Sequence, residues 1–233
     1  MKIIKYDIEK KKILEILSQY KHNEIVEIGC GFSSILNDID DFSNLYIVEP
    51  GKQFYQKALR DREEHSNKEK IHVYNNYFED WAPGISFSAP DFIIMSCLLH
   101  EVEDTDSIFD KLGKLSNKNT ITHISVPNAN SFHRLLALEM GLIKSIYEKS
   151  GNQLQFEQDR IFDIERLCKI AIENGFKVIE KGSYNFKPFT HKQMQDMIDT
   201  GFITERILDG LYKMEKYVPG TGSEIFINIQ KPQ

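Results

Sequence analysis

Two carboxylates and a pair of glycines carry the first recognisable chemistry in this sequence. In EIVEIGCGFSS, residues 24–34, an apolar run that reads as a buried strand leads through Glu27 into a turn containing Gly29 and Gly31. Turns of this kind let backbone approach a nucleotide cofactor, and the neighbouring residues decide which one. Ser34 stands where a dinucleotide fingerprint needs its third glycine, and no lysine follows to complete a phosphate loop. A carboxylate at the strand end repels a pyrophosphate and favours a cofactor with a positive end. The next strand, NLYIVEP, ends in Glu49, roughly 20 residues on, where a carboxylate can accept hydrogen bonds from both hydroxyls of a ribose.

The residues suited to moving a proton are histidines, of which there are seven. His100 in CLLHEVED follows the fourth apolar run and His133 in VPNANSFHRLL the fifth; both are candidate general bases. His191 in FKPFTHKQM lies after the sixth and, with Asn128 and Asn130, is a candidate for substrate binding, since amides both donate and accept. Glu101 can orient or charge His100, and Arg134 and Arg160 can meet a phosphate or form ion pairs in a lid. No His, Cys, Asp or Glu cluster has the spacing of metal ligands, so no metal is expected. Cys30, Cys97 and Cys168 are too scattered for a disulfide framework, and Cys30 reads as an unreactive turn residue.

What must position these groups is an alternation of short apolar runs and amphipathic stretches: EIVEIG, SSILNDI, NLYIVEP, QFYQKALRDREEH, IHVYNNY, DFIIMS, DSIFDKLGKL and ITHISVP. Strand and helix in turn predict an α/β fold, a parallel sheet with helices on both faces. A helix is expected at about 163–174, closed by Gly175, then a strand in FKVIEKGSYNF and a last one in SEIFINIQK. At the N-terminus, Ile8, Ile13, Leu14, Ile16 and Leu17 mark an amphipathic helix whose lysines, Lys10 to Lys12, read as a solvated face. Segments of about 128–161 and 185–222 interrupt the rhythm as helical lids after the fifth and sixth strands, on the side where open sheets bind ligands. Residues 1–233 are thus expected to form one domain.

The order of these segments resembles the class I S-adenosylmethionine-dependent methyltransferases. EIVEIGCGFSS looks like their first motif, which implies that Gly29 and Gly31 admit the cofactor with Glu27 near its amino-acid portion and Glu49 on its ribose. YNNYFEDW, residues 74–81, is similar to the segment flanking the adenine and points to Tyr77 and Phe78; DFIIMSCLLHEVED places Ser96 and its followers beside the methionine part. The resemblance also implies a Rossmann-like, seven-stranded, mostly parallel sheet with the last strand antiparallel. VPNANSFHRLLALEMGLI with FKPFTHKQM resembles a subgroup from bacterial surface-polysaccharide pathways, implying a hydroxyl acceptor on a nucleotide-linked sugar such as a GDP-heptose. Competing readings are an N-methyltransferase acting on a small amine, a non-catalytic partner subunit of the same fold, and an NAD-dependent enzyme, which Ser34 and Glu27 disfavour.

Bulk properties narrow the partners. A net charge of -6 gives no basic field for nucleic acid, and with no run of 18 apolar residues and no export signal a soluble, cytoplasmic chain with a small-molecule substrate is expected. Leu135, Leu136 and Leu138 can bury within one chain or against a second copy in a homodimer.

Overall fold

The computed structural model of the chain describes residues 3–83, 87–149 and 160–232, so residues 150–159 of the first expected lid lie outside the described residues. Helix α1 (Ile3–Leu17) precedes β1 (Glu24–Ile28), β2 (Asn44–Val48), α2 (Lys52–Glu64), β3 (Ile71–Tyr74) and β4 (Phe92–Ser96). Then come α3 (Thr105–Leu115), β5 (Ile121–Pro127), α4 (Phe132–Glu139), α5 (Ile164–Glu173) and β6 (Lys177–Tyr184). The chain closes with α6 (His191–Asp199), α7 (Glu205–Tyr212) and β7 (Glu224–Gln230).

The sheet runs in the order β3-β2-β1-β4-β5-β7-β6. β1 pairs in parallel with β2 and β4, as β2 does with β3 and β4 with β5, while β7 lies antiparallel between β5 and β6. The Rossmann-like expectation, with helices on both faces and the last strand antiparallel, is met.

Alternation along the strands builds the two faces. Val26, Ile28, Ile93, Met95, Ile124 and Val126 pack on one side under Phe109 and Leu112 of α3 and Leu167 and Ala171 of α5. Ile25, Leu45, Ile47, Phe92 and Ile94 pack on the other under Ile13, Ile16 and Leu17 of α1 and Ala58 of α2. At about 25 cal/mol per Å² of apolar area, these continuous layers supply most of the drive to fold. The helix expected at about 163–174 is bounded as read, Asp163 accepting from Arg166 N–H at 2.7 Å to cap α5 and Gly175 following it at φ +80°, and Thr190 with Gln193 forms a capping box on α6.

Two local expectations change. SSILNDI forms only a 3-10 turn, Ile35–Asn37, because Ser34, Asn37 and Asp38 are cap and turn formers that compete with a continuing helix. The lysines of α1 are not simply a solvated face. Lys10 pairs with Asp38 at 2.7 Å, Lys11 with Asp209 at 3.7 Å, and Lys12 lies 5.2 Å from the centre of the Phe226 ring.

The chain leaves β1 outward to β2 and β3, then returns to place β4 on the other side of β1. Their carboxyl ends therefore diverge into a crevice, the place where open α/β sheets bind ligands. Helix α1 crosses toward it: the Ser96 hydroxyl at the end of β4 donates to Glu9 at 2.5 Å and contacts the Ser125 hydroxyl at 2.7 Å. α7 is tied to α1 by the Tyr212 hydroxyl on Glu15 at 2.5 Å. Among the described residues no helix is long and apolar enough to cross a membrane.

Candidate active site

A cavity of about 1080 Å³ occupies the crevice. That is just above the ~300–1,000 Å³ usual for small-molecule sites, which suits a reaction needing two ligands side by side. The walls come from the carboxyl ends of β1, β2, β4 and β5, from α1, and from the segments after β5 and β6.

On the β1–β2 side, Gly29 has φ +71° and Gly31 φ +51°, both in the left-handed region that favours glycine. A Cβ built on Gly29 meets Leu98 Cδ2 at 3.2 Å, whereas one built on Gly31 projects into open space. The turn is thus shaped so that bare backbone faces the cavity at Gly31. Glu49 holds this turn: it is 4% exposed, its Oε2 accepts the Gly31 N–H at 3.0 Å and its Oε1 the Gly51 N–H at 2.7 Å. Oε2 also takes the Cys30 S–H, with sulfur at 3.7 Å, while Oε1 keeps a second lone pair and borders, with the rest of Glu49, the cavity. Tyr77, 66% exposed, stands on the same rim.

Glu27 takes another role. Its carboxylate lies beneath the glycine turn, accepting the Ser34 hydroxyl and, at 3.0 Å, the Ile35 N–H, and it does not border the cavity. Burial dominates over these hydrogen bonds and raises its pKa to about 7. Phe78 is 3% exposed and packs with Trp81 in the core rather than beside Tyr77 on the rim. Cys30 is buried against Glu49 and Glu27, and burial first, then these carboxylates, push its thiol pKa up, so it stays an inert turn residue.

On the far side, Ser96, Cys97, His100, Asn128, His133 and His191 all border the same cavity. His100 is buried in a 3-10 turn, Leu99–Glu101, with Nε2 3.7 Å from Glu101 Oε1. His133 sits in the first turn of α4, where burial and then the charges of Lys187 and Arg134 drive its pKa down to about 3. Asn128 spends its amide on the chain: Nδ2 donates to the Gly220 and Gly222 carbonyls at 3.0 and 2.7 Å, and Oδ1 accepts the Asn130 N–H at 2.9 Å. Asn130 itself does not border the cavity. Arg134 donates to the carbonyls of Ile146 and Glu148, and Arg160 to that of Glu103.

Sequence reasoning missed several walls: Glu9 and Lys10 of α1, Phe32 and Phe54, Ser131, Lys187 and Glu224. Phe32 and Phe54 meet edge to face at 4.4 Å beside the glycine turn. The aromatic pair could have been suspected from Phe32 adjoining Gly31, the others only from the packing of α1 and of the segments after β5 and β6.

The residues present fit the donor implied by the sequence. A bare-backbone turn opens on the cavity, and a buried carboxylate with spare acceptor capacity follows it on the next strand. Gly29, Gly31 and Glu49 are the groups that would hold it.

Comparison with known proteins agrees. The methyltransferase domain family matches residues 5–181. A possible histamine N-methyltransferase from Thermotoga maritima is 17% identical, with a TM-score of 0.62 over 97% of this chain and 89% of that one. The N-methyltransferase NodS from Bradyrhizobium japonicum is 9% identical, with a TM-score of 0.57 over 100% of this chain and 98% of that one. Mitomycin 7-O-methyltransferase is 10% identical, with a TM-score of 0.58 over 96% of this chain and 53% of that one. At these identities the likeness is one of fold, and it embraces both N- and O-methyltransferases. The chain matches no curated protein sequence.

Proposed function

Since the chain belongs to the methyltransferase domain family, we propose that it transfers a methyl group from S-adenosylmethionine to a hydroxyl of a small acceptor, a nucleotide-linked sugar being the favoured class. Bound in the crevice, S-adenosylmethionine supplies an electrophilic methyl on a sulfonium. The observation that supports the reading most is one continuous cavity running from Gly31 and Glu49 to His100, His133 and His191.

In this reading Gly29, Gly31, Glu49 and Tyr77 bind the donor and Ser96 lies beside its methionine end. Glu27 and Phe78 support the site from beneath, Glu27 by fixing the turn through Ser34 and Ile35. The segments after β5 and β6 form lids over one domain, exclude water and align the acceptor, the main contribution a protein makes to an in-line displacement. His100 takes the acceptor's hydroxyl proton on an imidazole nitrogen. His133 suits that task less well, because burial first and then its charged neighbours oppose protonation, and a general base works best with a pKa near the working pH.

The test is incubation with methyl-labelled S-adenosylmethionine and a panel of nucleotide-linked sugars and small amines, read by mass. Methyl gain on a sugar hydroxyl is expected, with His100→Asn lowering kcat by roughly 10²- to 10⁴-fold and flattening the acidic limb of the pH profile. Gain on amines with His100→Asn unimpaired would establish the N-methyltransferase reading instead. Donor binding with no turnover across the panel would point to a non-catalytic partner.

A further inference from the structure

The acceptor side of the cavity ends at the first turn of α4, and that turn carries two polar atoms without use in the fold. Ser131 is the N-cap residue, 0% exposed, yet its hydroxyl makes no capping bond and has no hydrogen-bond partner among the described residues. Two positions on, Nδ1 of His133 is also buried with no partner among the described residues. Buried polar atoms left unsatisfied are costly, and both residues border the cavity.

The surroundings say which charge belongs there. A helix N-terminus presents partial positive charge and outward-facing N–H groups. Lys187, at the mouth of the second lid, and Arg134 border the same space and lie close enough to act on His133. The Arg134 guanidinium donates to carbonyl oxygens rather than to a carboxylate, though Glu148 offsets part of its charge. Glu224, the nearest-in-sequence acid of β7 on this cavity, has its Oε2 engaged by Asn185 at 2.9 Å and Ser223 at 2.8 Å.

We propose that the first turn of α4, with Ser131, His133 and Lys187, docks a phosphoryl group carried by the methyl acceptor. The proposal rests on the reading of this cavity as an acceptor site and adds where the acceptor is gripped. A hydroxyl, an imidazole N–H and an ammonium, arranged around a helix start, suit the several oxygens of a phosphate. His133 held neutral can donate from Nδ1, and a bound anion will raise its pKa.

The experiment is calorimetric titration of the protein saturated with S-adenosylhomocysteine, at fixed ionic strength, with inorganic phosphate, pyrophosphate, GDP and acetate. Binding of the phosphates and not of acetate is expected. Lys187→Ala should weaken it about tenfold and Ser131→Ala about fivefold, as loss of one charged or neutral hydrogen bond implies, while Lys192→Ala on the outer face of α6 leaves it unchanged. Tighter binding of pyrophosphate and GDP assigns a diphosphate-linked acceptor, and tighter binding of phosphate a phosphomonoester. The His133 ring resonance should titrate at higher pH with pyrophosphate present, a readout independent of whether Ser131→Ala perturbs the fold. Absence of phosphate binding, or equal affinity in wild type and Lys187→Ala, overturns the docking site. Methylation of uncharged sugars alongside such a failure leaves the O-methyltransferase reading standing, and intact phosphate binding without methyl gain on any hydroxyl removes that reading instead.

Discussion

Replacing Glu49 tests whether one carboxylate both shapes the glycine turn and holds the donor. Its two oxygens accept backbone N–H groups from Gly31 at 3.0 Å and Gly51 at 2.7 Å, and it is almost wholly buried. Glu49→Ala removes both acceptors and the two that ribose hydroxyls would use. Losing the latter should cost ~2–4 kcal/mol of donor affinity, roughly 30- to 1,000-fold in Kd. From sequence alone such a change would be expected to leave folding nearly untouched. The structure instead ties it to stability, since two backbone donors lose a charged acceptor, at about 1–3 kcal/mol in all. Glu49→Gln keeps one acceptor oxygen and turns an NH2 toward the other N–H, so it should fall between wild type and Glu49→Ala on both scales. Calorimetry with S-adenosylhomocysteine reads the first quantity and urea unfolding at constant m the second. An affinity for Glu49→Ala within about threefold of wild type would refute the reasoning, because that is less than one ordinary hydrogen bond.

Three further outcomes are expected. Glu27, its pKa raised to about 7 from 4.5, contributes stability that is fully present below pH 4.5 and lost as pH rises through 7. Unfolding free energies from urea titration at pH 5 and pH 8 should therefore differ less in Glu27→Gln than in wild type, by up to about 3 kcal/mol; equal pH dependence would contradict the burial argument. Gly31→Ala puts a side chain at φ +51°, costing about 1 kcal/mol of stability, and sends its Cβ into the cavity, so Kd for S-adenosylhomocysteine should rise more than the stability loss explains; unchanged binding would place the donor elsewhere. Asn128→Ala releases the Gly220 and Gly222 carbonyls, so hydrogen exchange and proteolysis around residues 217–222 should accelerate, with ~1–3 kcal/mol of stability lost and donor affinity kept; a selective rise in acceptor KM with the loop still protected would restore Asn128 to substrate binding.

The sheet was readable because its strands are short apolar runs bounded by turn residues, and the caps at Asp163, Gly175 and Thr190 are local signals. The glycine turn and Glu49 were readable for the same reason: the carboxyl ends of parallel strands lie along one edge of the sheet, so residues far apart in sequence become neighbours by topology alone. Tyr77 and Phe78 show where that stops. Adjacent aromatics of similar polarity give no clue to which faces the rim and which the core, and packing against Trp81 decides. Lys10 was read only as part of a solvated face and Glu9 was not singled out, because their role depends on how α1 lies across the sheet edge, a long-range property no spacing encodes. Glu27 marked the right turn through its position, yet its burial made it a support of Ser34 and Ile35 rather than a wall of the cavity.

A crystal structure with S-adenosylhomocysteine bound is the most direct measurement. Ribose hydroxyls on the Glu49 carboxylate, the amino-acid portion along Gly29 and Gly31, and the sulfur facing the His100 side of the cavity are the expected result. A ligand seated outside this crevice, or a Glu49 carboxylate that makes no contact with it, would contradict the assignment.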